Sequence, residues 1–205
     1  MSIPNSLTTL RIILTPVFVI LLLDESPLSK QIALVVYIVA ALTDWYDGWV
    51  ARKYGYSSRW GKFFDPLADK ILSLSALFTF VSLGLISSWM VWIILIRDVF
   101  ITSLRTYAEL KDQPIVTSKT AQAKTFGEFI VIYYILILYV ASTIPDVQLR
   151  FGDWITSLMH PQVLFGMMLL VTLSTIGTGI LHIFDNRKLL YTIYERYFDT
   201  RSTEE

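Results

Sequence analysis

Four aspartates, Asp44, Asp47, Asp65 and Asp69, fall within 26 residues of a chain in which only 17% of residues are charged. Asp44, Asp47, Gly48 and Ala51 stand at i, i+3, i+4 and i+7, one face of a helix. Gly61, Asp65 and Asp69 stand at i, i+4 and i+8, again one stripe. Two carboxylate pairs on helices joined by a short basic loop can converge on a single point. Hard oxygen donors of this kind suit Mg²⁺ or Mn²⁺, and two divalent ions would balance four carboxylates. Gly48 and Ala51 bring no bulk beside the acids, so a planar or phosphorylated ligand can approach the backbone there. Arg52 and the loop cations after it can complete an anion site.

The elements that carry these residues follow from composition. Of 205 residues, 54% are hydrophobic and 14% aromatic, whereas soluble domains average about 25% charged residues. Too few charges remain to cover a water-facing surface, and the missing polar surface is replaced by lipid. Such hydrophobicity excludes intrinsic disorder. The 17 basic and 17 acidic residues cancel, so no overall nucleic-acid field exists, and zero cysteines exclude disulfides and thiolate chemistry. A hydrocarbon core of about 30 Å needs roughly 20 apolar residues per helix. Six stretches qualify: Leu7–Leu23, Gln31–Val50, Leu67–Ser87, Trp89–Ala108, Phe126–Ile144 and Gln162–Phe184. The segment from Pro145 to Pro161 reads as a connection, and Gly84 to Trp89 as a tight turn between antiparallel helices. No positive leader or small-residue cleavage site precedes the first span, which reads as a helix and not a signal peptide.

Orientation follows from the loop cations. Arg52, Lys53, Arg59, Lys62, Arg105, Lys111, Lys119, Lys124, Arg187, Lys188, Arg196 and Arg201 fall on one side, against Lys30 and Arg150 on the other. Twelve against two predicts cytoplasmic termini. The expected architecture is an all-α integral membrane protein with six transmembrane helices and a short amphipathic N-terminal segment. A membrane catalytic domain over residues 1–184 is followed by a charged cytoplasmic tail over 185–205.

The acidic stretch resembles a known family. Asp44 to Arg52 and Gly61 to Asp69 together read D-x-x-D-G-x-x-A-R-(x8)-G-x-x-x-D-x-x-x-D, the signature of the CDP-alcohol phosphotransferases, with eight fixed positions over 26 residues. Pro4-Asn5 with Thr8 and Arg11 also resembles the family's amino-terminal helix, and six spans is the family's number. The resemblance implies transfer of a phosphatidyl group from CDP-diacylglycerol to an alcohol, with release of CMP. It implies that Asp44, Asp47, Asp65 and Asp69 hold two divalent cations, Mg²⁺ or Mn²⁺. It further implies that Asp69 is the general base on the acceptor hydroxyl, and that Asn5, Asp47, Gly48, Ala51, Arg52 and Gly61 bind the cytidine diphosphate. Homodimers and a bacterial cytoplasmic membrane location, with the site facing the cytoplasm, are implied likewise.

The acceptor is read from cations. Arg97-Asp98 with Arg105 eight residues on resembles the pattern of the branch that forms phosphatidylglycerophosphate. Arg97 and Arg105 lie about 80° apart around a helix, so both can reach one cavity. That branch carries Gly-Lys-x-Lys-Thr before its fifth helix, and here the stretch reads Ala121-Gln122-Ala123-Lys124-Thr125. Lys124 and Thr125 match, and Lys119 stands as a substitute for the missing lysine. Several cations suit a phosphorylated acceptor such as sn-glycerol 3-phosphate through charge-assisted contacts. Serine, inositol phosphate and phosphatidylglycerol remain alternative acceptors. More distant alternatives are a membrane prenyltransferase, whose acidic motifs would lie in separate parts of a longer bundle, and a transporter, which would spread carboxylates along a path.

Blander roles stand beside these. Arg11 and Lys70 can snorkel to headgroups, Asp65 before Pro66 can cap the third helix, and Asp98 can orient Arg97 as a buried ion pair. Glu128 can reach the site or sit at a helix start. His160 and His182 read as interfacial, and Trp89, Trp92 and Trp154 as aromatic-belt anchors. Trp45, Tyr46 and Trp49 face lipid or partner helices, and Gly177 and Gly179 suggest a close helix contact such as a dimer.

Overall fold

A computed structural model describes residues 3–54, 59–110 and 119–187. Within these the chain is entirely helical: α1 (Ile3–Leu23), α2 (Pro27–Tyr54), α3 (Arg59–Ser82), α4 (Ser88–Leu110), α5 (Lys119–Ser142), α6 (Pro145–Leu158) and α7 (Pro161–Asp185). The six stretches expected as spans fall on the six longer helices, α1 to α5 and α7. The segments Lys124–Ser142 and Pro161–Asp185 are long and apolar enough to cross a bilayer, and shorter apolar stretches cover Thr9–Leu23, Pro27–Thr43 and Lys70–Ser82. Ile20, Ile96 and Leu170 are 66–70% exposed, an apolar outer surface that water would not tolerate at this density and lipid would. The chain is therefore a membrane protein.

α1 packs against α2 and α3, α4 against α3 and α7, and α5 against α2, α6 and α7. Phe18, Leu22, Tyr37, Leu77, Phe80, Ile94, Ile132, Leu136 and Met168 meet in one buried core. Phe18 and Tyr133 flank the Tyr37 ring, with centroids 5.0 and 5.4 Å away. Tilted and edge-on pairs of this kind place positive ring edges on negative faces.

Several boundaries differ from the expected ones. α3 starts at Arg59 rather than Leu67, so Asp65 is not its N-cap; Gly61, Asp65 and Asp69 all lie on one continuous helix. α1 runs unbroken from Ile3, which removes a separate N-terminal amphipathic segment. α5 includes Glu128 as its tenth residue, away from the helix start. The 145–161 connection is mostly a helix. Pro145 and Pro161, taken as breakers, occupy first-turn positions, where a missing N–H costs nothing and the fixed φ favours the helix. At 14 residues, about 21 Å, α6 is too short to span. It turns Ile155 inward and leaves Trp154 72% exposed, in keeping with the anchoring role expected of it. Tyr134 Oη of α5 donates to the Leu158 carbonyl, 2.8 Å, and ties α6 to the bundle.

The α3–α4 turn is as expected. Gly84 adopts φ +72°, Leu85 N–H donates to Phe80 O and Gly84 N–H to Val81 O, both at 2.9 Å. This closes the helix with a left-handed residue that glycine adopts without steric cost.

Candidate functional site

α2 and α3 are longer than a bilayer needs, about 42 and 36 Å at 1.5 Å per residue. The acidic motif lies on the adjoining ends of these two helices, the C-terminal part of α2 and the N-terminal part of α3. Asp44, Asp47, Gly48, Ala51 and Arg52 are on the last turns of α2, and Gly61, Asp65 and Asp69 on the first turns of α3. Asn5 lies in the first turn of α1, which packs on both helices. The side chains of all these residues lie outside the described ones, as do those of Trp45, Trp49 and Lys119; Tyr46 is half exposed. Among the described residues no group of three or more His, Cys, Asp or Glu side chains could hold a metal. The donor set nevertheless fits two divalent cations: four hard carboxylates, two per helix, with the α3 pair in unbroken helical register.

One residue after Asp69 the structure becomes explicit. The Lys70 ammonium lies 2.6 Å from Asp98 Oδ2. Arg97 Nη1 and Lys124 Nζ lie 3.0 Å from the other oxygen, Oδ1. Lys124 also donates to Glu128 Oε2 at 2.7 Å, one turn along α5. The Asp98 side chain is fully buried and that of Lys124 is 1% exposed. Three helices thus send cations to one carboxylate on α4, and Arg97 Nη2 adds a fourth helix by donating to Thr178 Oγ1 of α7 at 3.2 Å. Removing these charges from water is costly, and only mutual pairing with satisfied hydrogen bonds recovers it. Three cations face two carboxylates here, so the described cluster keeps one positive charge in excess.

Of the cations expected to meet an acceptor phosphate, the structure joins Arg97 and Lys124 through Asp98. Arg105 sits two turns further along α4 and is exposed, and Thr125 follows Lys124 half-buried on α5. The expected orientation of Arg97 by Asp98 holds, but Asp98 serves Lys70 and Lys124 as well. Lys70 is paired with a carboxylate and Arg11 is 1% exposed, so neither is a side chain snorkelling to lipid headgroups. Glu128 is a buried partner of Lys124. His182 is buried in the last turn of α7, and His160 caps the start of that helix by accepting from Gln162 N–H at 3.4 Å. Gly179 makes its close approach inside the chain: a Cβ there would meet Arg97 Cγ at 3.2 Å, while Gly177 faces open space. Thr178 had no signal in the sequence, because a threonine in an apolar helix ordinarily bonds its own backbone. It does so here as well, at 2.8 Å to Ser174 O.

Comparison with known proteins bears on the same residues. The sequence profile described as CDP-alcohol phosphatidyltransferase matches residues 1–178. A Bacillus subtilis protein is 34% identical over 148 residues, 66% of this chain and 77% of the relative. A Salmonella typhimurium protein is 32% identical over 141 residues, 66% and 76% of the two chains. One from Cereibacter sphaeroides is 36% identical over 135 residues, 64% of this chain and 61% of that one. All three are named CDP-diacylglycerol–glycerol-3-phosphate 3-phosphatidyltransferase.

Proposed function

The chain belongs to the CDP-alcohol phosphatidyltransferase family, and from that premise we propose that it transfers the phosphatidyl group of CDP-diacylglycerol to sn-glycerol 3-phosphate, giving phosphatidylglycerophosphate and CMP. The observation that carries the acceptor is the agreement of the relatives: proteins from Bacillus, Salmonella and Cereibacter, each 32–36% identical to this chain, bear the same name. The cation excess among the described residues around Asp98 supports it, since a phosphorylated acceptor brings an anion to such a cluster.

In this reading the long helices span a bacterial cytoplasmic membrane, with both termini and the acidic ends of α2 and α3 on the cytoplasmic side. Residues 1–184 form the catalytic domain, 185–205 its charged tail, and two copies associate. The loop cations support this orientation, twelve on that side against Lys30 and Arg150 on the other. Asp44, Asp47, Asp65 and Asp69 hold two divalent cations, Mg²⁺ or Mn²⁺. Bound there, such ions supply charge stabilisation for the diphosphate and for the leaving CMP. Gly48, Ala51 and Gly61 leave room for the cytidine diphosphate, and Asn5, Asp47 and Arg52 provide its polar contacts. Asp69 takes the proton of the primary hydroxyl of glycerol 3-phosphate. The freed oxygen forms a bond to the phosphorus that bears diacylglycerol, and the bond to CMP breaks, the electron pair leaving on the CMP oxygen. Arg97, Arg105, Lys119, Lys124 and Thr125 provide the field for the acceptor's own phosphate. Lys70 carries that field to the residue next to the base.

The test is CMP release from CDP-diacylglycerol with a panel of acceptors, with and without divalent metal. Glycerol 3-phosphate should outcompete serine, inositol, inositol phosphate and phosphatidylglycerol, and only with metal present. Preference for another acceptor overturns the assignment.

A further inference from the structure

α7 lies outside the acidic signature and outside every cation pattern that points to the acceptor, yet it presents a polar strip to α4. Thr178 holds Arg97, and Gly179 lets the Arg97 stem lie against the α7 backbone. His182 stands four residues after Thr178, on the same face of the helix. It is 7% exposed, and its Nε2 has no hydrogen-bond partner among the described residues. The charges of Arg97, Asp185 and Arg105 act on it.

The levels along the helices are informative. α4 and α7 run the same way in an alternating bundle, and Arg97 and Thr178 are level because they are bonded. His182 then lies about 6 Å beyond that level and Arg105 about 12 Å, at 1.5 Å per residue. Along the helix axes the level of His182 therefore falls between those of Arg97 and Arg105. A buried ring nitrogen left unpaired costs free energy unless something completes it. Either ring tautomer offers Nε2 one hydrogen bond, as donor or acceptor. A phosphorylated polyol has the matching chemistry: its phosphate is drawn by the charges of Arg97 and Arg105, and its hydroxyl or phosphate oxygens can pair with a ring nitrogen at a level between them.

We propose that α7 forms one wall of the acceptor pocket and that His182 Nε2 hydrogen-bonds an oxygen of the phosphorylated acceptor, making His182 a specificity-determining residue. The proposal rests on the transferase reading above and adds a residue to it. It is tested on the full-length protein in lipid–detergent micelles by CMP release, comparing wild type with His182→Ala and His182→Gln. The KM for glycerol 3-phosphate should rise about tenfold in His182→Ala, the loss of one hydrogen bond to a charged ligand. The KM for CDP-diacylglycerol should move less than twofold, and glutamine should restore part of the loss. Glycerol 3-phosphate should also raise the melting temperature of wild type more than that of His182→Ala. Unchanged acceptor KM, equal changes for both substrates, or a lower melting temperature with unchanged kinetics overturns the proposal. Should wild type release CMP only with a different acceptor, the glycerol 3-phosphate reading fails; the same KM comparison with that acceptor then decides the role of His182.

Discussion

The acidic ends of α2 and α3 and the basic cluster around Asp98 are neighbours in sequence at Asp69 and Lys70, and they differ in what balances their charge. The basic cluster is nearly self-sufficient: three cations and two carboxylates from three helices pair at 2.6–3.0 Å. The acidic motif places four carboxylates on two helix ends, and in the function proposed above cations from solution balance them. One region is a structural bolt with one charge to spare, and the other is a socket. Losing an external ion should therefore silence the socket and spare the fold, whereas losing one internal partner should damage the bolt.

The largest effect should come from the socket. Chelating divalent metal, or substituting Asp44→Asn or Asp65→Asn, should lower CMP release about a thousandfold, the loss of several kcal/mol of charge stabilisation. Helical circular dichroism should stay unchanged. Asp69→Asn should lose turnover while retaining CDP-diacylglycerol binding, because its proposed part is to receive a proton. A variant at Asp69 with wild-type rate would remove it from the base role, and a chelated protein that unfolds would show the two regions to be less distinct than their charges suggest.

The bolt should respond in stability first. Asp98→Ala leaves Lys70, Arg97 and Lys124 facing one another without their shared partner, and breaking a buried pair in this way costs about 3–5 kcal/mol. Asp98→Ala should melt well below wild type and should do so with or without metal. An unshifted melting temperature would mean that water or lipid headgroups reach the cluster. Glu128→Gln should cost less, about 1–2 kcal/mol, since Lys124 keeps Asp98 and loses only the charge of its second acceptor. If Glu128→Gln melts as low as Asp98→Ala, Glu128 and not Asp98 is the centre of the cluster.

The two regions also differ in how far the sequence reveals them. The socket is local: Asp44 with Asp47, and Gly61 with Asp65 and Asp69, declare a shared face by spacing alone. The bolt draws Lys70, Asp98, Lys124 and Thr178 from four helices, separations of 26 to 81 residues that no periodicity encodes. Arg97 and Lys124 were legible as acceptor candidates, but not their common tie to Asp98. Lys70 was legible only as a charge at the edge of a span. The six long helices were readable because an apolar run of 20 residues has few other outcomes. α6 was not, because first-turn prolines and loop prolines look alike until the helix after them is seen.

The smallest effect falls where the bolt meets α7. Gly179→Ala adds a methyl 3.2 Å from Arg97 Cγ, so the arginine stem must move by a few tenths of an ångström. Against this, alanine gains about 0.8–1 kcal/mol over glycine within a helix. The two contributions nearly cancel in stability, and the melting temperature should shift by no more than a degree or two. They do not cancel in geometry, because the displaced stem carries the guanidinium that Asp98 and Thr178 hold in place. Gly179→Ala should therefore raise the acceptor KM about threefold, a loss of roughly 0.7 kcal/mol, in a protein as stable as wild type. Gly177→Ala, which meets nothing within 4 Å, should leave the acceptor KM unchanged and raise the melting temperature through the helix-propensity gain alone. Equal behaviour of the two alanine variants would show that the position of Arg97 does not govern acceptor binding.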